Sequence, residues 1–173
     1  MRITTGKVFS DPYIIQTPFL GILTGSSGWV KFLIIFSKIS FRAGKTSWIE
    51  RLIQDSKLSS RPKIIRYHYP EQLNKSPVKW CEKFENIQVE YEQGIPKNAD
   101  YWTNIDKNTL GRRWFLVFLN SFLVILDDLW NEASNSNEVA NAFKIYARKR
   151  KYSLLVITQS FFENGRFGKI IRF

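Results

Sequence analysis

Three adjacent residues, Gly44-Lys45-Thr46, have the types that grip a phosphate chain where a helix begins. Glycine lets backbone N–H groups curl around phosphate oxygens, lysine meets the β and γ oxygens, and the threonine hydroxyl reaches magnesium. A G-K-T triplet by itself is common by chance. The residues that would complete it stand upstream, where Gly25-Ser26-Ser27-Gly28 follow the apolar run Pro18-Phe19-Leu20-Gly21-Ile22-Leu23-Thr24. That run reads as a buried strand entering a tight loop. Joined to Ala43-Gly44-Lys45-Thr46, the upstream half spells G-S-S-G-A-G-K-T, a full G-x-x-x-x-G-K-T phosphate loop, the Walker A pattern.

Fourteen residues, Trp29 to Arg42 (WVKFLIIFSKISFR), separate the two halves. Removing Gly28 to Phe41 instead gives G-S-S-R-A-G-K-T, an equal match. The amides of such a loop must converge on one phosphate, which needs a short continuous turn, so the interruption is expected to disable nucleotide binding. The Phe, Ile, Lys and Leu bias of the segment is what AT-rich non-coding sequence yields when translated, so residues 29–42 read as a non-native insertion such as a retained intron. The alternative is that G-S-S-G is an unrelated turn and G-K-T a coincidental helix start. A second segment, Gly111 to Phe122 (GRRWFLVFLNSF), has the same character; deleting it leaves N-T-L-L-V-I-L-D-D, a strand of normal length. There the alternative is a long buried strand or a hydrophobic hairpin.

Leu123-Val124-Ile125-Leu126 ends on Asp127-Asp128, an apolar run closed by two acids as in a Walker B strand. In that role Asp127 holds the hydrated Mg²⁺ and Asp128 orients or deprotonates the attacking water. The alternative is an acid pair capping the next turn. Leu154 to Thr158 is a further apolar strand, and Gln159 at its tip has the amide to sense a γ-phosphate and position water. Arg148 to Lys151 is a basic run that reaches phosphates or, more simply, sits at a solvated helix end facing the dipole.

These residues need elements to hold them. Trp48, Ile49, Leu52 and Ile53 recur at helical spacing from Thr46 onward, and Val139, Phe143, Tyr146 and Ala147 mark a second amphipathic helix. Pro62 to Tyr67 and Ile87 to Tyr91 read as strands, and Lys75 to Glu85 as a polar helix or loop. Apolar strands alternating with helices predict an α/β fold with a mostly parallel sheet, as one domain spanning 1–173. The chain has 173 residues, a net charge of +11 and 27 aromatic residues, 14 of them Phe. The two segments hold six of those Phe, two Trp, five basic residues and no acid; without them the net charge falls to +6. The charge argument for a polyanionic partner therefore weakens by nearly half. A lone Cys81 and a lone His68 exclude a disulfide framework, a thiolate zinc site and a His-rich metal site. The N-terminus lacks the apolar core of a signal peptide, and no run approaches the roughly eighteen apolar residues of a spanning helix. An intracellular protein, nuclear or cytoplasmic, neither secreted nor membrane-bound, is expected.

The succession P-F-L-G-I-L-T-G-S-S-G…G-K-T, K-I-I-R-Y-H-Y-P-E-Q, E-Y-E-Q-G-I-P, L-V-I-L-D-D-L and F-K-I-Y-A-R-K-R-K-Y-S-L-L-V-I-T-Q-S-F-F resembles the packaging ATPases of the FtsK–HerA group. Large DNA viruses, including the poxvirus-like type, and the Maverick/Polinton virus-like transposons carry these. The resemblance covers most of Pro18 to Arg172 outside the two segments. It implies a RecA-like P-loop NTPase fold and ATP with Mg²⁺ as ligands. Gly25, Ser26, Ser27, Gly28, Gly44, Lys45 and Thr46 would sit on phosphate, and Thr46 and Asp127 on the metal. Asp128 would activate water, Gln159 would supply the amide of the strand after Walker B, and Arg150 falls where relatives carry an arginine before that strand. It also implies double-stranded DNA as partner and a homo-oligomeric ring. Relatives continue past G-R-F-G-K-I-I-R with at least one further strand, so the sheet is expected to be incomplete here. A non-enzymatic, basic nucleic-acid-binding protein is the rival reading, predicting DNA affinity that falls with salt and owes nothing to ATP. A small P-loop kinase is a third.

Overall fold

The computed structural model describes residues 14, 15, 17, 19–24, 30–34, 37–41, 44–55, 57–73, 76, 78–103, 122–147 and 152–158. Seven strands form one sheet: β1 (Leu20–Thr24), β2 (Val30–Ile34), β3 (Ser37–Phe41), β4 (Ile64–Tyr69), β5 (Gln88–Gln93), β6 (Phe122–Asp127) and β7 (Ser153–Thr158), in the order β3-β2-β1-β7-β6-β4-β5. The five strands from β1 to β5 in that order are all parallel, and β2 and β3 add an antiparallel hairpin to the β1 edge. The helices are α1 (Lys45–Gln54), α2 (Trp80–Lys83), α3 (Ala99–Thr103), α4 (Trp130–Ala133) and α5 (Asn137–Asn141). The α/β class expected from the sequence holds.

The central strands carry no polar face because both faces are covered. Every residue of β7 is buried, and so are the first five of β6, which is why these runs are continuously apolar rather than alternating. Strand alternation then sorts the side chains. Leu123, Ile125, Leu155 and Ile157 join Leu23 beneath Trp48, Ile49, Leu52 and Ile53 of α1, together with Trp80 of α2. Phe122, Val124, Leu126, Leu154 and Val156 pack against the other layer, formed by Trp102 of α3, Trp130 of α4, and Val139, Phe143 and Ala147. Each such fully buried large apolar side chain contributes about 1.5–3 kcal/mol.

The second amphipathic helix differs from the expected plain α-helix. Ser136 caps α5 by accepting from the Val139 N–H at 3.3 Å, but the chain then widens into a π-helical turn over Ala142–Tyr146. Val139, Phe143 and Ala147 are spaced by four, and a wider turn brings such residues to one side more closely than 3.6 residues per turn does. Within Lys75 to Glu85 the described helical residues are the single turn α2, pinned by buried Trp80.

Much of residues 29–42 is the β2–β3 hairpin. Its register sets Thr24 beside Lys31 and Lys31 beside Ser40, and Val30 beside Phe41. The hairpin runs down the β1 edge and back, so Phe41 lies at the level of the C-terminal end of β1 and α1 opens four residues further on, at Lys45. Phe122, the last residue of the second segment, is the first residue of β6 and pairs with Ile64. Residues 104–121 lie outside the described residues.

Candidate functional site

A parallel sheet gathers the C-terminal ends of its strands on one edge, and that edge collects the residues singled out for chemistry. Thr24 of β1 pairs with Thr158 of β7, and Ile157 of β7 pairs with both Leu23 and Asp127. The strand that ends in Thr158 therefore lies between β1 and the acid-tipped β6. Helix α1 begins at this edge. The Trp48 N–H donates to the Gly44 carbonyl at 2.9 Å, and no side chain caps the helix and no acid stands in its first turn. Its exposed N–H groups and dipole thus present positive potential at Lys45 and Thr46. Gly44 has φ −57°, and among the described residues a Cβ there would meet only Ser47 Oγ at 3.8 Å, so neither its backbone nor these neighbours demand glycine.

Asp127 is half-buried at the end of β6. Its Oδ2 accepts a hydrogen bond from the Tyr67 hydroxyl on the adjacent strand β4. Burial pushes the carboxyl above its usual range; the Tyr67 hydrogen bond pulls it back, Asp128 pushes it further up, and the charge of Lys45 lowers it. The charge of Lys45 therefore acts on Asp127 although the two are 82 positions apart in sequence. Burial, reinforced by the charges of Asp127 and Asp128, pushes the Tyr67 phenol up and keeps it protonated as a donor. Tyr67 itself is held edge-on by Trp80 at 5.1 Å and Tyr91 at 6.1 Å.

Asp128 is exposed and has φ +55°, the left-handed region that non-glycine residues rarely enter. Its N–H donates to the Ile157 carbonyl at 2.9 Å, which fixes the turn to β7. Its side chain faces a cleft of about 360 Å³ between the ends of β4 and β6, shared with Gln72, Asn131 and Glu132. The connection from β4 leaves over the α1 face and that from β6 over the opposite face, so this cleft lies at a topological switch point, where open α/β sheets receive ligands.

The edge thus brings together Gly44, Lys45, Thr46, Asp127 and Asp128. Gly25, Ser26, Ser27, Gly28, Arg150 and Gln159 lie outside the described residues. Among the described residues no group of three or more His, Cys, Asp or Glu side chains could enclose a metal. The Asp127 carboxylate and the Thr46 hydroxyl are oxygen donors of the hard type that Mg²⁺ takes, the rest of its shell being water and substrate phosphate.

Sequence reasoning passed over Tyr67, reading it only as part of a strand. The signal lay in the alternation: Ile65, Tyr67 and Tyr69 form one row of β4, and a tyrosine buried to zero exposure needs a partner for its hydroxyl. The neighbouring residue His68 faces the other way into a closed network. A carbonyl only accepts, so Nδ1–H donates to the Gly94 carbonyl at 3.0 Å, and Nε2 accepts from the Tyr101 hydroxyl at 2.7 Å. Burial pushes the imidazole down to about 4, with the Arg66 charge adding to the shift and the Gly94 bond opposing it. Arg66 donates to Glu90 at 2.7 Å and covers the Tyr101 ring. Among the described residues no helix is long and apolar enough to cross a membrane. Compared with known proteins, the chain matches no family model, no curated protein and no solved structure.

Proposed function

We propose that this chain is built on the framework of a RecA-like P-loop NTPase, an ATP-dependent, DNA-translocating ATPase of packaging type from a virus-like mobile element. In this chain the interrupted phosphate loop has removed nucleotide hydrolysis. The observation that carries the reading is that Lys45 and Thr46 open the helix that follows β1 while Asp127 ends β6, two strands along the same parallel sheet. The strand order supports it: β7 between β1 and β6 sets the tip of the strand after the acid pair beside both phosphate-loop and acid residues.

With the loop uninterrupted, ATP would supply the phosphoryl group and Mg²⁺ would shield its charge. Lys45 would meet the phosphate oxygens and α1 would add its N-terminal N–H groups. Thr46 and Asp127 would hold the cation. Asp128, held in a strained turn and exposed to solvent, is the acid that receives a proton from water, which a carboxylate can do only while ionised. Gly44 needs no glycine for its own backbone, and the room it leaves is room for a phosphate. Double-stranded DNA as the translocated partner, a ring of copies, and roles for Gln159 and Arg150 belong to the same proposal through the resemblance.

Sequencing the transcript tests the insertion half of the proposal: splicing out the codons for residues 29–42 is expected, and retention of both segments in frame contradicts it. Mg²⁺-dependent ATP hydrolysis by the 173-residue chain would contradict the claim that hydrolysis is lost. The nucleic-acid-binding alternative predicts salt-sensitive DNA affinity that Lys45→Ala leaves unchanged.

A further inference from the structure

We infer that β5, an edge strand of the sheet, takes up an extended cationic segment of a partner protein as an added strand. The inference goes beyond the nucleotide reading and needs neither phosphate nor metal. An edge strand offers a row of unpaired N–H and C=O groups, which is a template for another strand. Strand β5 pairs with β4 alone, and the ladder fixes which of its groups point away. The Gln88 N–H donates to the Lys63 carbonyl and the Gly94 N–H to the Tyr69 carbonyl, both at 2.8 Å. Backbone groups alternate in direction along a strand, so those of Glu90 and Glu92 also face β4. Those of Val89, Tyr91 and Gln93 face outward, and among the described residues none of them takes a backbone partner.

Edges are commonly blunted by proline, lysine or a bulge. Strand β5 has none of these: its register with β4 is continuous from Gln88 to Gln93, and the run QVEYEQ contains no proline, glycine or lysine. All of its residues keep some exposure. What it carries is charge of one sign. Glu90 and Glu92 stand on one face, exposed over 29% and 43% of their side chains. Arg66 engages Glu90 at 2.7 Å, whereas Glu92 has among the described residues only the His68 ring at 3.8 Å, which is neutral at pH 7. That charge decides the occupant. A second copy added antiparallel through the same edge, centred on Tyr91, would set each Glu90 opposite a Glu92, and like charges directly opposite destabilise a strand pair. A strand with Lys or Arg at alternate positions meets both acids on that face. Apolar residues between them then lie beside Val89 and Tyr91, which are partly buried against the core.

The test is binding of a short fluorescein-labelled peptide that alternates lysine and valine to the full chain, read by anisotropy. One peptide per chain is expected to bind, and the same peptide with glutamate in place of lysine at least about tenfold more weakly. Only one alternate set of peptide amides faces β5, so N-methylating that set is expected to abolish binding and N-methylating the other to leave it intact. Gln93→Pro removes an outward N–H without touching a bond to β4, and is expected to weaken binding about threefold or more. Glu92→Lys is expected to lower affinity for the lysine peptide and raise it for the glutamate peptide. Thermal melting checks that both variants are folded, and the methylated peptides ask the same question of the unaltered chain. Failure of the lysine peptide to bind overturns the proposal, as do equal affinities for the two peptides or equal effects of methylating either set. Self-association of the chain that Gln93→Pro abolishes overturns it too, because the edge then belongs to a second copy.

Discussion

Tyr67 and His68 are neighbours on one strand and point to opposite faces of the sheet, and the two polar groupings they enter differ in a telling way. At His68 every valence is closed: Nδ1 donates to Gly94, Nε2 accepts from Tyr101, and Arg66 bridges Tyr101 and Glu90. At half-buried Asp127 one oxygen is held by Tyr67 and the other by no donor among the described residues, and the charges of Lys45 and Asp128 act on it. The two glycine-like turns follow the same division. Gly94 adopts φ +70° and is glycine, whereas Asp128 adopts φ +55° and keeps a carboxylate at the cost of strain. The closed network serves folding; the exposed, strained Asp128 has no such packing reason among the described residues.

The comparison can be broken most forcefully with acid. His68 has a folded pKa near 4, below its unfolded value near 6.5. The unfolded chain therefore binds the proton first as pH falls, so stability due to neutral His68 is complete above about 6.5 and is lost on descent toward 4. The loss is on the order of 3 kcal/mol. Urea unfolding across that window should show it in wild type, and the difference between wild type and His68→Leu isolates the histidine's share. At pH 7, His68→Leu should itself cost about 2 kcal/mol, since it strands the Gly94 carbonyl and the Tyr101 hydroxyl.

Smaller effects sharpen the contrast. Gly94→Ala should destabilise by about 1 kcal/mol, because a side chain enters the left-handed region and its Cβ would come within 2.6 Å of Glu71 Oε1. Asp128→Gly should be neutral or stabilising, since the same region suits glycine. Asp127→Asn should also unfold at no lower denaturant concentration than wild type. Its carboxyl is raised by burial, so the ionised form opposes folding above the usual carboxylate range, and an amide oxygen still accepts from Tyr67. Loss of stability in both Asp127→Asn and Asp128→Gly, on the scale of His68→Leu, would erase the distinction between the two regions.

The parallel frame was legible because burial on both faces writes itself into sequence as unbroken apolar runs: β1, β6 and β7 could be read directly, and so could the face of α1. Lys45, Thr46 and Asp127 were legible as types at strand and helix ends. What could not be read depends on neighbours across the sheet. Tyr67 finds Asp127 only once β4 lies beside β6, and no spacing in the sequence announces that. The single-turn helices α3 and α4 carry too few residues for a period, and each is held by one tryptophan, Trp102 or Trp130. The β2–β3 hairpin lies within residues 29–42, read from the sequence as an insertion, and no Gly, Pro, Asn or Asp in that run marks where its two strands divide. The left-handed turn at Asp128 is equally silent, because aspartate is tolerated there without signalling it.

The central claim is that Gly25 to Gly28 and Gly44 to Thr46 are two halves of one phosphate loop. Equilibrium binding of a fluorescent ATP analogue to the chain as it stands, and to the same chain with Trp29 to Arg42 deleted, tests this directly. The account predicts no binding by the intact chain, binding by the deletion variant, and its loss in that variant on Lys45→Ala. A folded deletion variant that fails to bind ATP, or binding that survives Lys45→Ala, would contradict it.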